Sequence, residues 1–247
     1  MDGPQLQALC ALGQQQLMRM EYLDAQRTLA AAEDVAWIQQ DFDALSRLYM
    51  PLQEARRQRR QRCGEGIVRL DLVAQGPQDH IDGRHVIENY AHGQLLVAGW
   101  GSIAPAREVR RLQAEHDLYV DTFLAAVYPV DGGRAIAIVA TEDADLPPAD
   151  PMSPEELRRR LPPHSLILAQ KQLPTGMIRG NVQTWALTME LWERLHTPFL
   201  AAADAQADPL RKMQDYRKTI EVDYACELAH QRLSDVAREL CKSKRWV

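Results

Sequence analysis

The sequence has few of the residues and patterns that identify several common protein classes. Only 6% of its 247 residues are aromatic, which leaves little for stacking on nucleic-acid bases or sugars. The four cysteines lie far apart without a C-x-x-C pair, which excludes a cysteine-based zinc site and argues against a disulfide framework. No apolar run reaches the length of a membrane span, and the first residues lack the pattern of a secretory signal. We therefore expect a protein of the reducing cytoplasm that does not enter a membrane.

Charge and size narrow the choice further. The net charge of −5 and the isoelectric point near 5.8 argue against a general nucleic-acid binder. Hydrophobic residues make up 46% of the chain, which is enough to bury the core of one or two ordinary domains.

Hydrophobic patterning divides the chain into three segments. Residues 1–64 carry leucines at helical spacing, residues 65–180 combine apolar runs with turn residues, and residues 181–247 are again helical. This predicts an α+β fold, with a small mixed or antiparallel sheet domain flanked by N-terminal helical hairpins and a C-terminal pair of long antiparallel helices. The second helix of the pair is predicted from Asp208-Pro209 to Leu240. The pair either packs on the N-terminal helices or forms a homodimer.

The N-terminal segment resembles one tetratricopeptide repeat. The resemblance rests on an L-G pair followed by small and large apolar residues at the family's positions: Leu12-Gly13, Met20, Tyr22, Ala25, Leu29 and Ala32. In that family, the small residues let two antiparallel helices approach closely. A second copy at the required period of about 34 residues is absent. The resemblance therefore implies a helical hairpin more than a superhelical peptide groove.

A glycine-rich turn follows the apolar run 95–98. Gly99-Trp100-Gly101 and the residues after it match G-x-G-x-x-A, the pattern of a dinucleotide-binding site. The Asp131-Gly132-Gly133 sequence predicts a hairpin at the end of the following strand, so the next pairing is antiparallel. Pro105 also removes a backbone N–H at the helix start, where a phosphate needs donors. We interpret the glycines as a strand-to-helix turn in an α+β domain.

Residues 93–180 resemble the small C-terminal subdomain of adenylate-forming enzymes, the acyl-CoA synthetases and their relatives. The shared features occur in the family's order: Gly99, Gly101, Ile103, Pro105, Glu108-Val109, two apolar strands around Asp131-Gly132-Gly133, S-P-E-E-L from Ser153, and L-P-T-G-M-I-R from Leu173 to Arg179. Where that family has its adenylation lysine, this chain has Met177, whose thioether cannot donate to a developing phosphate charge. The 64 residues before the middle segment read as helices, so we expect no large ATP-binding domain there. The resemblance therefore implies a non-catalytic copy that serves as a scaffold or binding domain.

Two E-x-x-H pairs lie in the C-terminal helices. Glu193 and His196 form one, and Glu227 and His230 form the other. The spacing places a carboxylate and an imidazole on the same side of a helix, as in the di-iron sites of helical bundles. These four residues are the candidate metal ligands. The alternative is a packed histidine, His196, beside solvated glutamates.

A basic run closes the N-terminal segment at Arg56–Arg62. Its arginines oppose the negative end of a helix dipole and offer a contact surface for acidic partners. The candidate contact residues are Arg56, Arg57, Arg59 and Arg60. The alternative is a solvated helix end without a partner.

Acids and histidines are dense in the middle segment, but their spacing fits no standard metal motif. The candidate ligand-binding residues are Asp82, His85, Glu88 and His92, together with Arg179. The alternative is a polar connection with a turn at Asp82-Gly83.

No catalytic motif is complete, so the sequence favours a non-enzymatic protein-interaction or scaffold protein with a protein partner and no cofactor. The alternative is a domain that binds or converts a nucleotide or acyl ligand, centred on residues 65–180.

Overall fold

A computed structural model describes residues 3–244 of the chain. The last three residues of the predicted C-terminal segment lie outside this range. The helices within it are α1 (Gly3–Met18), α2 (Tyr22–Gln39), α3 (Phe42–Glu65), α4 (Gly83–Asn89), α5 (Ala104–Glu115), α6 (Pro154–Arg160), α7 (Val182–Ala205), α8 (Pro209–Val222) and α9 (Glu227–Lys244). The strands are β1 (Ile67–Val73), β2 (His92–Trp100), β3 (Tyr119–Val130), β4 (Gly133–Val139), β5 (Leu166–Ala169) and β6 (Ile178–Arg179). The predicted α+β class is confirmed.

The chain divides into two compact units. A helical unit contains the residues up to Arg60 and those from His196 onward, and an α+β unit contains Gln61–Leu195. Most of the first and third predicted segments therefore share one unit, whereas residues 61–64 and 181–195 belong to the α+β unit that is inserted between them. Within the described range, no helix is both long enough and apolar enough to cross a membrane.

The first two helices form a closely packed hairpin in the helical unit. A Cβ atom at Gly13 would lie 2.5 Å from Leu29 Cγ, so α1 approaches α2 through a residue without a side chain. Ala25, Leu29 and Ala32 are fully buried. This is the close approach that the tetratricopeptide resemblance implies, although membership of that family stays a prediction.

The third helix contains a proline, Pro51, within its length. Helix α3 passes through this proline without ending. Its buried side chains form one apolar core with residues of α2, α8 and α9, among them Leu45, Leu48, Met213, Leu233 and Val236. The C-terminal helices therefore pack on the N-terminal ones. In α9, Leu233 and Val236 are buried in this core, and a homodimer stays a prediction.

The C-terminal segment contains three helices, whereas the sequence pattern predicts two. The helix predicted to run through to Leu240 is interrupted, because Asp223 leaves helical geometry with φ −136° and ψ 96°. Its carboxylate accepts the N–H of Ala225 at 3.1 Å, a local bond that competes with helix continuation. This break places Asp223, Tyr224 and Cys226 in a turn between α8 and α9.

The α+β unit is built on one mixed sheet with strand order β5-β4-β3-β2-β1-β6. Strands β1, β2 and β3 are parallel, and the remaining pairings are antiparallel. One face carries an apolar cluster with α4, α5 and α6, which includes Val97, Leu112, Leu124, Ala137 and Leu157. On β3, Phe123 stacks on Trp192 of α7, with ring centroids 4.2 Å apart.

The glycine turn after β2 is closed by the chain itself. The Gly101 N–H donates to the Val127 carbonyl oxygen at 2.9 Å, and a Cβ atom at Gly101 would lie 2.7 Å from Ala149 Cβ. Gly101 has φ +58°, a conformation that glycine adopts without strain. The turn leads from a strand into α5, as interpreted from the sequence, and its N–H groups do not form a phosphate cradle.

Candidate functional site

The structure does not gather the five candidate ligand-binding residues into one site. Asp82 caps α4, because its carboxylate accepts the Arg84 N–H at 2.9 Å. His85 and Glu88 are exposed on that helix. His92 Nε2 lies 2.6 Å from the carbonyl oxygen of Arg62. Arg179 is exposed on β6, and β1 separates β6 from the strand that carries His92.

The segment that carries Asp82, His85 and Glu88 also differs from the alternative prediction, which was a polar connection with a turn at Asp82-Gly83. Residues 83–89 form a short helix whose Val86 and Ile87 are buried in the apolar cluster of the α+β unit. Asp82 caps an amphipathic helix, and His85 and Glu88 lie on its solvent-facing side.

Five charged or titratable side chains instead meet inside the helical unit. We call them the buried charged cluster: Arg56, Arg60, His196, Asp223 and His230. Four of the five were singled out in the sequence for other roles, and the fifth, Asp223, was not. They come from α3, α7, α9 and the turn between α8 and α9.

Asp223 is the centre of the first half of the cluster. Its Oδ1 accepts from Arg60 Nη2 at 2.9 Å, and its Oδ2 accepts from His196 Nδ1 at 2.8 Å. The side chains of Arg60 and Asp223 are only 2% and 1% exposed. A carboxylate buried to this extent requires compensating donors, and the cluster supplies two charged ones.

The protonation of this half follows from the same contacts. Burial raises the pKa of Asp223, but the charges of Arg60 and His196 outweigh it and hold the pKa below its ordinary value. Burial disfavours the charged form of His196, but the hydrogen bond to Asp223 and contact with Cys226 outweigh this and raise its pKa to about 10. At neutral pH, this half therefore consists of two cations around one carboxylate.

His230 is the centre of the second half and has the opposite character. Its Nδ1–H donates to the Cys226 carbonyl oxygen at 2.8 Å, and its Nε2 accepts from Arg56 Nη1 at 2.8 Å. Both bonds require the neutral ring in its Nδ1–H tautomer. Burial and the charge of Arg56 lower the pKa of His230 to about 3. This imidazole is therefore a neutral acceptor for a buried guanidinium.

The basic run is therefore not a uniform partner-contact surface. Arg56 and Arg60 point into the helical unit and bind His230 and Asp223, so their prediction as partner contacts is wrong. Arg59 is partly buried, with its guanidinium carbon 4.4 Å from the Tyr224 ring centroid. Only Arg57 of the four is exposed, and it pairs with Glu54 at 2.8 Å.

The two E-x-x-H pairs do not form a metal centre. Within residues 3–244, no group of three or more His, Cys, Asp or Glu side chains is placed to hold a metal ion. Both nitrogens of His230 are engaged, one of them by a cation, and Glu227 accepts from Gln53 Nε2 at 3.3 Å. Glu193 is exposed on α7. The two histidines do come together, but around the turn from Asp223 to Cys226.

The sequence contained a signal for the inward-facing arginines. The buried residues of α3 recur at three- and four-residue spacing, and this spacing continues through the basic run: Leu45, Leu48, Tyr49, Leu52, Arg56, Arg60 and Cys63. The helical period alone could therefore have separated Arg56 and Arg60 from Arg57. No local signal indicated Asp223 as the partner of Arg60, 163 residues further along the chain.

A groove in the α+β unit is the second candidate site, and the sequence did not suggest it. It has a volume of about 600 Å³ and lies between the β3–β4 hairpin, the start of α6, and β5 with the short 3-10 turn Gln170–Gln172 that follows it. Its apolar lining consists of Val130, Ala135, Pro154, Ile167 and Ala169. Asp131, Arg134 and Lys171 contribute charges, and Thr175 lies at its edge.

Strand β5 presents backbone groups beside this groove that have no hydrogen-bond partner among residues 3–244. The Ala169 N–H donates to Gln172 Oε1 at 2.8 Å, so it points away from β4. Because alternate residues of an antiparallel strand share a direction, the N–H and C=O of Ile167 also point away from β4. At the other end, the Ser165 N–H is taken by the Pro162 carbonyl oxygen at 3.3 Å. Ile167 therefore presents both a donor and an acceptor at the sheet edge.

No protein-family model, curated protein or solved structure matches this chain. The resemblance of residues 93–180 to adenylate-forming enzymes therefore stays a prediction, although the strands and helices occur in the predicted order. Met177, at the position of the family's lysine, is 62% exposed.

Proposed function

We propose that the chain is a non-enzymatic protein-interaction protein, and that it binds an extended segment of a partner protein along β5. The observation that carries this proposal is the edge of β5, where the unpaired backbone of Ile167 lies beside a largely apolar groove. An added strand satisfies such backbone groups, while the groove receives one of its side chains. Four free cysteines are in keeping with the cytoplasmic location we propose.

The chemistry of the two sheet edges supports this choice of surface. Natural proteins protect exposed edges with charges, because an apolar edge recruits other strands. The edge strand β1, which β6 covers only at Ile67 and Val68, carries the ion pair of Arg69 and Asp71 at 2.6 Å. Strand β5 has the sequence Leu-Ile-Leu-Ala, and each of its residues is half-buried rather than covered. The β1 edge is protected by charged side chains, whereas the β5 edge is suited to pairing with an added strand.

The alternative of a nucleotide or acyl ligand has less support. Its candidate residues in α4 and β2 do not line the groove, and Arg179 lies at the opposite edge of the sheet. A groove of about 600 Å³ is large enough for a small molecule, but an open strand edge favours a peptide.

A selection experiment tests the proposal on the whole chain. A phage-displayed library of random short peptides is panned on the protein, and enriched peptides are synthesised and titrated by fluorescence anisotropy. Thr175→Trp fills the groove from an exposed position, and Gln183→Trp adds the same side chain to an exposed position on α7. We expect enriched peptides with alternating apolar residues that bind the wild type and Gln183→Trp but not Thr175→Trp. Failure to enrich any peptide, or equal binding to both variants, would contradict the proposal.

A further inference from the structure

Resting on the proposed function, we infer the chemistry of the bound segment: it carries a carboxylate close to a large apolar side chain, and Lys171 binds that carboxylate. The groove supplies both halves of this specificity. Its interior accepts the apolar side chain, and Lys171, an exposed cation of its lining, lies beside the path of the strand.

The interior of the groove is suited to one large apolar side chain. Two of its lining residues, Val130 and Ile167, are half-buried and pack against the apolar cluster of the α+β unit. Several other lining residues are small: Gly132, Gly133, Ala135 and Ala169. Small residues beside large apolar ones leave space that an incoming leucine, isoleucine, methionine or phenylalanine fills, with burial of apolar surface on both partners.

The charges of the groove differ in how they are held. The Arg134 guanidinium is tied to the chain, because Nη1 donates to the Gln75 carbonyl oxygen at 3.2 Å. Asp131, at the tip of the same hairpin, carries the opposite charge. Lys171 is exposed and has no hydrogen bond or ion pair to any other residue in the described part of the chain. Of the two cations that line the groove, Lys171 is therefore the one that no contact holds in place.

The position of Lys171 links its charge to strand pairing. Ile167 provides the outward backbone groups, and Lys171 follows β5 in the 3-10 turn. A peptide paired with Ile167 runs past this ammonium in either direction. A parallel peptide reaches Lys171 with its C-terminal end, and an antiparallel peptide reaches it with a side chain. The carboxylate therefore comes either from the C-terminus or from a glutamate or aspartate.

Matched synthetic peptides test the inference and separate these two sources. The probes are short threonine- and valine-rich peptides with a central leucine. One pair ends in a free acid or an amide, and the other is amidated and carries glutamate or glutamine after the leucine. Affinities are measured by titration of ¹⁵N-labelled full-length protein. The protein variants are Lys171→Gln, Lys171→Glu and the matched control Lys242→Gln, which changes an exposed lysine of the helical unit.

We expect the acid-bearing member of one pair to bind more tightly than its neutral partner. Lys171→Gln should weaken the binding of that acidic peptide about two- to fivefold, which is the range expected for loss of an exposed ion pair. Lys171→Glu should weaken its binding further. The affinity for the neutral peptide should be the same in both Lys171 variants as in the wild type. Lys242→Gln should leave the affinity for both peptides unchanged. The pair that responds identifies the C-terminal or the side-chain source.

Two outcomes overturn the inference, and they differ in what they say about the proposed function. If acid and neutral peptides bind equally, with or without Lys171, and Thr175→Trp abolishes both, the carboxylate specificity is wrong and the peptide site stands. If none of the probes binds and the library also yields nothing, both are wrong.

Discussion

Arg60 Nη2 and Asp223 Oδ1 lie 2.9 Å apart inside the helical unit, although 163 residues separate them in sequence. The contact joins α3 to the turn between α8 and α9, and both side chains are almost fully buried. It fastens the segment before the inserted α+β unit to the segment after it. Arg60 belongs to a basic run of the kind that usually lies on a surface, but its side chain is part of the core.

Removing the charge of Asp223 should strongly destabilise the protein. Asp223→Asn leaves Arg60 and the His196 imidazolium buried without their carboxylate, and breaking a buried pair in this way costs about 3–5 kcal/mol. The free energy of unfolding is measured by urea denaturation followed by circular dichroism. The matched control is Asp235→Asn, which breaks an exposed pair with Arg238 and should cost less than about 1 kcal/mol. Equal costs for the two variants would show that the buried pair has no special role.

The His196 contacts predict a loss of stability at alkaline pH. Its folded-state pKa of about 10 exceeds the ordinary value of 6.5, so its contribution is complete below about 6.5 and is lost as the pH rises towards 10. We expect the stability advantage of the wild type over His196→Gln to shrink over this range, by at most about 1.4 kcal/mol per pH unit. Urea denaturation at a series of pH values measures it. An advantage that does not change with pH would mean that His196 is neutral.

The His230 contacts predict the opposite dependence. Its folded-state pKa of about 3 lies below the ordinary 6.5, so between these values the unfolded chain binds a proton that the folded chain does not. Stability should therefore fall as the pH falls below about 6.5, again by at most about 1.4 kcal/mol per pH unit. His230→Gln, whose amide oxygen can still accept from Arg56, should lose less stability on acidification than the wild type. The control variant His85→Gln changes an exposed histidine and should lose as much stability on acidification as the wild type. If His85→Gln instead loses as little as His230→Gln, the acid dependence does not come from His230.

The structural role of Asp82 can be separated from a ligand-binding role. Asp82→Ala removes the cap of α4 and should cost about 1 kcal/mol of stability. His85→Ala and Glu88→Ala change exposed side chains of the same helix and should each cost less than about 0.5 kcal/mol. Thermal denaturation of the three variants provides the comparison. A cost for Asp82→Ala as small as those for His85→Ala and Glu88→Ala would show that the Asp82 carboxylate does not stabilise α4 as a cap.

Much of the fold could be predicted from local sequence. The apolar run 95–98 predicted a strand where β2 lies, the Asp131-Gly132-Gly133 sequence predicted the hairpin of β3 and β4, and the S-P-E-E-L sequence from Ser153 lies where α6 begins. Each of these signals acts over a few residues, within the strand or helix that it defines. The hydroxyl of Ser153, for example, accepts the N–H of Glu156 at 3.1 Å.

The candidate sites depended on contacts that local sequence does not encode. His196 and His230 were chosen as metal ligands from their spacing to glutamates, but their partners are Asp223 and Arg56 on other helices. The groove beside β5 is assembled from segments between residues 130 and 175, and its significance depends on the direction in which the Ile167 backbone points. That direction follows from strand pairing and from the Gln172 side chain, and it has no signature in composition or periodicity.

Amide hydrogen exchange at Ile167 tests the central claim most directly. In the free protein, the Leu166 and Leu168 N–H groups face β4 and should be protected, whereas the Ile167 N–H should exchange faster than both. Saturation with an enriched peptide should slow the exchange of the Ile167 N–H and leave the ratio of the Leu166 and Leu168 exchange rates unchanged. Two-dimensional NMR measures these rates. An Ile167 amide that is already protected in the free protein, or that exchanges at the same rate when the peptide is bound, would contradict strand addition at β5.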